Sequence, residues 1–395
     1  MTISLAAIAG LVLAACGSSS SSTSGTSGPV KVPSITVNSF TVNFSAMTEL
    51  KALAAKGKGN VGVILPDTVT SARYTEFDAP YLTESLTAAG LSPTQFSVQN
   101  AQGSDATELT LAQEAITKGA SVLIMDPLDS TVGAQIESYA KAHGVPVVDY
   151  DRLTLGGSRK YYVSFDNVKV GQIIGNGFVS CAAAWHVATP NVLVMKGDPT
   201  DNNATLFAQG YNSVLSPKFS GGTYTKVGEQ AVPNWNNQQA LTIFQQQFTA
   251  HQNINATVEA NDGLANAVIQ VLKNKGVKAN KIPTTGQDAT LQGMANVLTG
   301  FQCGSVYKAV YLEAQAAVAL ATVLRANATP PPALVNGNTS PPSGQQGNQQ
   351  PAILLVPIWV DKTNMKDTVL KDKFVKTAEL CSAVGQAVCQ ANNIS

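Results

Sequence analysis

The chain has 395 residues, enough for about two or three domains. Lys+Arg and Asp+Glu both number 25, so the formal charge is zero. The clustered cations with which a nucleic-acid binder displaces counterions from phosphates are therefore missing. Hydrophobic residues at 44% exclude wholesale disorder, and charged residues at only 13% leave Ser, Thr, Asn, Gln and Gly to form much of the wetted surface.

Residues 1–15 are nearly all apolar, and Leu13-Ala14-Ala15-Cys16 is followed by Gly17 and a serine run. Such a stretch is too short to span a ~30 Å hydrocarbon core as a helix and reads as the apolar region of a secretory signal. Leu-Ala-Ala-Cys resembles the bacterial lipobox, whose cysteine thiol takes up a diacylglyceryl group, so Cys16 is the expected lipidation site. No Lys or Arg precedes Cys16, where such signals ordinarily open with one. From Gly17 to about Ser34 the chain is rich in Ser, Thr and Gly with Pro29 and Pro33, the composition of a flexible tether. Residues 1–15 are thus expected to be a signal peptide and 16–58 a lipidated tether with a short extension. Two or more acyl chains anchor stably, which places the body outside the cytoplasm on the outer face of the cell membrane.

From residue 60 short β-rich runs alternate with stretches of apolar period near 3.6, the pattern of βαβ units with parallel sheets. Strand Asn60–Leu65 precedes a helix near Ala79–Ala89. Strand Phe96–Gln99 precedes helix Asp105–Lys118, for which Asp105, three before Glu108, is the predicted cap. Strand Ser121–Met125, helix Thr131–His143, strand Val145–Asp149, strand Tyr161–Phe165 and helix Val168–Ala184 continue the series. The alternation then restarts with strands near Val192–Lys196, Thr223–Gly228, Thr257–Ala260, Pro283–Gly286 and Ser305–Tyr307, and ends in the Ala-rich helix Val310–Arg325. Two successive open α/β sheets fit better than one. Ala326–Pro351, rich in Pro, Gly, Asn and Gln, is a long surface loop, and Ile353–Val360 is a strand again. The amphipathic stretch Met47–Ala55 has no role assignable from sequence.

Apart from Cys16 the cysteines are Cys181, Cys303, Cys381 and Cys389, an even number that favours disulfides outside the cytoplasm. Cys381–Cys389 is the local choice, with Gly385 between them, which leaves Cys181–Cys303. There is no CxxC, and His143, His186 and His251 are isolated, so no metal site is expected.

In open α/β sheets ligands sit beyond the carboxyl ends of the strands. Here those positions carry Pro66-Asp67 then Arg73-Tyr74, Asp149 to Arg152, Asp166-Asn167, Asp198 with Asp201-Asn202-Asn203, Asn261-Asp262, Gln287-Asp288 and Lys308. Carboxylates accept hydroxyl protons, Asn and Arg donate in fixed planes, and rings cover the C–H face of a sugar. Trp235, among Pro233, Asn234, Asn236 and Asn237, is the best stacking candidate. Each of these polar residues is also an ordinary turn or cap residue; their recurrence at nearly every strand end is what points to a neutral polyhydroxylated ligand.

The runs Tyr150-Asp151-Arg152, Ser164-Phe165-Asp166-Asn167-Val168-Lys169-Val170-Gly171, Pro199-Thr200-Asp201-Asn202-Asn203-Ala204, Asn261-Asp262, Gly286-Gln287-Asp288-Ala289 and Val306-Tyr307-Lys308 occur in order. Together they resemble the D-xylose-binding proteins of bacterial ABC sugar importers, over about residues 60–325 and again at Ile353–Phe374. The resemblance implies a type I periplasmic binding protein: two doubly wound parallel-sheet lobes joined by a three-strand hinge. Residues 59–166 plus 309–351 would form one lobe and 167–308 plus 352–395 the other, with crossovers near Asp166–Asn167, Lys308 and the Ala326–Ile353 region. It further implies that Arg73, Asp151, Arg152, Asn203, Asn261, Asp288 and Lys308 bond the hydroxyls of one monosaccharide, xylose or glucose, while Trp235 and Tyr74 sandwich its ring. Importer permease and ATPase subunits would be the partners of a monomer, without cofactor. Two departures stand out: Tyr74 replaces a Trp, and Pro233-Asn234 replaces Gly-Asp before the stacking Trp.

A glycosidase would also present paired carboxylates, Asp151 and Asp288, in a cleft. Arg152 beside Asp151 would hold it ionised, where a general acid needs a raised pKa. No Walker A run exists. A nucleoside- or autoinducer-binding lipoprotein of the same fold, or a sugar sensor feeding a membrane receptor, are the alternatives.

Overall fold

A computed structural model describes residues 31–68, 71, 73–339 and 349–394. Two units are distinguished, Met1–Lys31 and Val32–Ser395, and all described helices and strands belong to the second. Cys16 and nearly all of the tether lie outside the described residues.

The chain enters through a 3-10 turn, Ser45–Leu50, and one helical turn, α1 (Lys51–Ala54). Met47, Leu50, Leu53 and Ala54 are fully buried, which gives the amphipathic stretch its role as a cover for the first lobe. There follow β1 (Asn60–Leu65), α2 (Ala79–Ala88), β2 (Phe96–Asn100), α3 (Asp105–Thr117), β3 (Ala120–Met125), α4 (Ser130–Ala142), β4 (Val147–Tyr150) and β5 (Tyr161–Phe165). The α3 cap is Ser104 rather than Asp105, since the Ser104 hydroxyl accepts from Thr107 N–H and Asp105 already lies inside the first turn.

The second alternation comprises α5 (Asn167–Ala184), β6 (Asn191–Lys196), α6 (Asn202–Ser220), β7 (Thr225–Ala231), α7 (Asn237–Ala250), β8 (Ala256–Glu259), α8 (Asp262–Asn274), α9 (Leu291–Thr299) and β9 (Ser305–Tyr307). It is followed by α10 (Val310–Arg325), β10 (Gly337–Asn338), β11 (Pro351–Leu355), β12 (Ile358–Val360), α11 (Thr377–Val384) and α12 (Gln386–Ala391). The larger sheet has the order β10-β11-β5-β4-β3-β1-β2 and is parallel except for the short β10. Its neighbour has the parallel order β7-β6-β8, with the antiparallel pair β12-β9 alongside.

The expected strand Pro283–Gly286 is extended but not a regular strand. It bridges β8 and β9, because Thr257 N donates to Pro283 O at 2.9 Å and Val306 N donates to Gly286 O at 3.0 Å. At its centre side chains replace the ladder: Glu259 N donates to Thr285 Oγ1 at 2.9 Å and Thr285 N to Glu259 Oε2 at 2.8 Å. Local propensity reads the extended run but not this exchange.

Ile353–Val360 is likewise two strands. Pro357 has no N–H to continue a ladder, so β11 pairs with β5 in the larger sheet and β12 with β9 beside the smaller one. The chain therefore crosses between sheets at Asp166, at Lys308–Ala309 and at Val356–Pro357. The third crossing falls beyond the Ala326–Ile353 region, and residues 352–355 belong with the first lobe, not the second.

Two glycines let α5 and α6 touch backbone to backbone. A β-carbon at Gly171 would lie 2.0 Å from Phe207 O, and one at Gly210 would lie 2.2 Å from Val168 O. Cys181 at the end of α5 is bonded to Cys303 ahead of β9, and Cys381–Cys389 joins α11 to α12 across Gly385, with Cα–Cα separations of 5.7 and 5.6 Å. Among the described residues no helix is long and apolar enough to cross a membrane.

Burial pushes the Glu259 carboxyl up to about 8 from its ordinary 4.5, against the pull of the Thr285 N–H. A carboxyl raised in the fold stabilises below its unfolded value, and that contribution is lost as pH rises through about 8. Glu259→Gln keeps an oxygen for Thr285 N–H, and it should flatten the fall of the thermal midpoint across this window. A curve parallel to that of the parent would mean that Glu259 is ionised in the fold.

Candidate functional site

The nine residues expected to bond or stack on a sugar converge. Arg73 and Tyr74 begin the π-helical turn Tyr74–Asp78 that runs into α2, and Asp151 and Arg152 follow β4. From the other lobe come Asn203 in the first turn of α6, Trp235 after β7, Asn261 at the cap of α8 and Asp288 beyond the extended segment. Lys308 sits on the second crossing. All nine line one polar cavity.

Arg73 is largely committed to the protein. Its Nε and Nη2 donate to Asp78 at 2.9 and 2.7 Å, Nη2 also to Glu313 Oε2 at 2.9 Å, and Nη1 to Asp151 Oδ1 at 2.8 Å. A guanidinium has five N–H donors, so one is left for a ligand. The Tyr150 hydroxyl adds a 2.6 Å bond to Asp78 Oδ1. Arg73 thus shapes the field more than it reaches outward.

Asp151 is the hub. Its backbone is left-handed at φ 55°, and its Oδ1 also lies 3.3 Å from Lys308 Nζ. Burial would raise its pKa, but Arg73, Lys308 and Arg152 together outweigh that and hold it at about 2. It is ionised as the sequence suggests, although Arg73 and Lys308 contribute more than the adjacent Arg152. That residue instead turns to Leu128 O at 3.1 Å and to Asp201 at 3.4 Å. The Asp151 carbonyl accepts from Tyr162 OH at 2.7 Å and from Asn203 Nδ2 at 2.9 Å, which joins the two lobes directly.

Burial raises the pKa of Asp288, although Lys308 lies 3.7 Å away and counteracts it. Its Oδ1 is buried and accepts no hydrogen bond from the protein, which leaves it open to a ligand donor. The Trp235 ring lies against Gly197, where a β-carbon would come within 2.0 Å of it, and its Nε1 donates to Asp201 Oδ2 at 3.0 Å. Asn234 and Trp235 both adopt left-handed backbone, φ 54° and 52°, and the Asn234 N–H bonds Asp198. Asn tolerates that conformation, so Pro233-Asn234 still delivers the indole. Tyr74 is flanked by two cations, with the guanidinium carbons of Arg73 and Arg152 at 5.4 and 5.6 Å from its ring centre.

Four further residues line the cavity outside the expected sugar-bonding set: Ser71, Asp201, Phe207 and Gln287. Asp201 and Gln287 stand in the strand-end runs themselves. Phe207 lies four after Asn203 on α6, so helical period would have found it.

Two parallel-sheet lobes, three crossings and one polar cavity between them define a hinged solute-binding protein. Residues 61–328 match the periplasmic binding protein domain, and the chain belongs to that family. It is 37% identical to the D-xylose-binding periplasmic protein of Escherichia coli K12, over 72% of this chain and 82% of that one. It is 29% identical to a multiple sugar-binding periplasmic receptor of Rhizobium radiobacter, over 85% and 96%. Among solved structures, an ABC transporter solute-binding protein from Clostridium phytofermentans with bound β-D-glucose superposes with a TM-score of 0.72 at 25% identity, covering 81% of this chain and 99% of that one. These relatives are binding proteins, and this chain is one too rather than an enzyme.

Asp151→Asn would leave Arg73 and Lys308 buried without their shared anion. It should destabilise the unliganded protein by about 3–5 kcal/mol, read as a fall in the urea midpoint. An unchanged midpoint would mean that these cations are solvated in the unliganded state.

Proposed function

We propose that the protein captures one monosaccharide between its lobes, D-xylose foremost, and delivers it to an ABC importer by hinge closure. The observation that carries this reading is the convergence of Asp151, Arg152, Asn203, Trp235, Asn261, Asp288 and Lys308 on one buried cavity. Charged acceptors and donors beside an indole suit a ring with hydroxyls on its rim and C–H groups on its face. The D-xylose-binding relatives support xylose. Glucose is the second reading, favoured by the glucose-bound structural neighbours. Sugar closes the lobes only through its greater affinity for the closed form, and the three crossings absorb the rotation. Diacylglyceryl attachment at Cys16 would hold a monomeric body at the outer face of the membrane, within reach of the permease.

Calorimetric titration of the body from about residue 35 onward against xylose, glucose, ribose and adenosine tests the reading. Micromolar or tighter binding of xylose or glucose is expected; binding of adenosine alone would move the function to nucleosides, and silence throughout would refute a sugar site. Trp235→Ala should weaken binding by about 1–3 kcal/mol, by analogy with stacking of flat ligands on aromatic rings. An unchanged Kd would remove the indole from the site. The Cys16 thioether would appear as a lipid-modified N-terminal peptide in mass spectra of membrane fractions, and Cys16→Ser should release the protein from them.

A further inference from the structure

Asp262 does not line the cavity, yet the segment that carries Asp288 is built around it. Asp288 and Ala289 have left-handed backbone, φ 92° and 49°, a conformation that costs a side-chain-bearing residue about 1–3 kcal/mol and persists only where its surroundings enforce it. Asp262 supplies that enforcement on both sides of the pair: before it, the Asp262 N–H donates to Gln287 O at 2.9 Å, and the carboxylate holds Ala289 and Thr290. Its Oδ2 accepts from Thr290 N at 2.8 Å and from Thr290 Oγ1 at 3.1 Å. Its Oδ1 accepts from Ser305 Oγ at 2.8 Å, and Ser305 Oγ in turn accepts from Ala289 N at 3.0 Å. Gln302 Nε2 adds a fourth donor at 2.8 Å.

The space for this carboxyl is reserved by glycine. A β-carbon at Gly286 would lie 2.0 Å from Asp262 Oδ1, and one at Gly293 would lie 2.1 Å from Oδ2. Three separated positions, 262, 286 and 293, therefore form one device. We propose that Asp262 is a positioning residue that brackets the strained pair Asp288–Ala289 and so fixes the Asp288 carboxylate toward the ligand. The proposal rests on the sugar-binding reading of the cavity.

The bracket also has a chemical signature. Four donors converge on Asp262, and a carboxylate can accept all four, whereas a neutral carboxyl must turn one oxygen into a donor and lose one of them. Burial raises its pKa most, the Ser305 bond counteracts this, the charge of Asp288 adds to it, and the Gln302 and Thr290 bonds oppose it; the outcome is about 7. Of the side chains facing it, Asp288 is charged, with Lys308 3.7 Å beyond Asp288, and Ser305, Gln302 and Thr290 are neutral. Sugar affinity should accordingly rise as pH rises through about 7.

Xylose titrations across that pH range, on the parent, Asp262→Asn and Ser305→Ala, test the bracket, together with amide hydrogen exchange of each unliganded protein. Asp262→Asn should lose about 10–100-fold in affinity, by analogy with groups that orient the ligands of a bound metal. It should also abolish the inflection near pH 7 and speed exchange at Ala289 and Thr290 while distant amides keep their protection. Ser305→Ala, a smaller lesion, should weaken affinity less and speed exchange at Ala289. Asp262→Asn binding as tightly as the parent, or retaining the inflection, would overturn the proposal. If the parent binds no sugar at all, the sugar reading fails, and the exchange rates of Ala289 and Thr290 in Asp262→Asn still decide whether the bracket exists.

Discussion

Much of the architecture around the cavity is a response to one buried anion. Asp151 sits between Arg73 and Lys308 with its carbonyl tied to Asn203 and Tyr162. Each cation brings its own requirements. Arg73 draws in Asp78 and Glu313, the latter from α10, 240 residues away in sequence. Lys308 sits on a crossing between sheets, so the charge balance of the site and the path of the hinge are fixed by the same side chain. Desolvation makes such a cluster costly unless every member is matched, which explains why so much of the polar equipment of the cavity faces protein first.

Few groups of the cavity keep spare hydrogen-bonding capacity. Asp288 Oδ1 and the last N–H of Arg73 are free to face inward, while Trp235 is locked by Asp201 and Gly197. Asn167 extends the connection into the first crossing, donating to Asn203 Oδ1 at 2.9 Å and to Tyr162 OH at 3.1 Å. The cavity floor and the hinge thus share one hydrogen-bond network, through which a change at the ligand reaches the crossing without any long lever.

The alternation of strand and helix was legible because both lobes bury both faces of their sheets, and buried parallel strands read as short apolar runs. The cavity-lining residues were legible because that topology puts them directly after strands, in runs with recognisable order. What escaped has a common cause: partners far apart in sequence. Glu313, the mutual side-chain bridge of Glu259 and Thr285, and the dependence of Gly286 and Gly293 on Asp262 leave no local pattern. The division of Ile353–Val360 at Pro357 was missed for a different reason, since a run of apolar residues around one proline keeps its strand propensity even where the ladder changes sheets.

β11 lies next to the end of the larger sheet. β11 would present open backbone groups beside the third crossing, but the two-residue β10 covers Ala352 and Pro351, and the Asn336 side chain takes the rest. Its Nδ2 donates to Leu354 O at 3.0 Å, and its Oδ1 accepts from Leu354 N at 2.8 Å. One carboxamide thereby imitates a neighbouring strand. An uncapped parallel edge is a template for a second chain, and crowding would sharpen that hazard wherever many copies gather on one surface. The described residues on either side of the Pro-rich insertion, 336–338 and 351–352, thereby close the edge on which they sit.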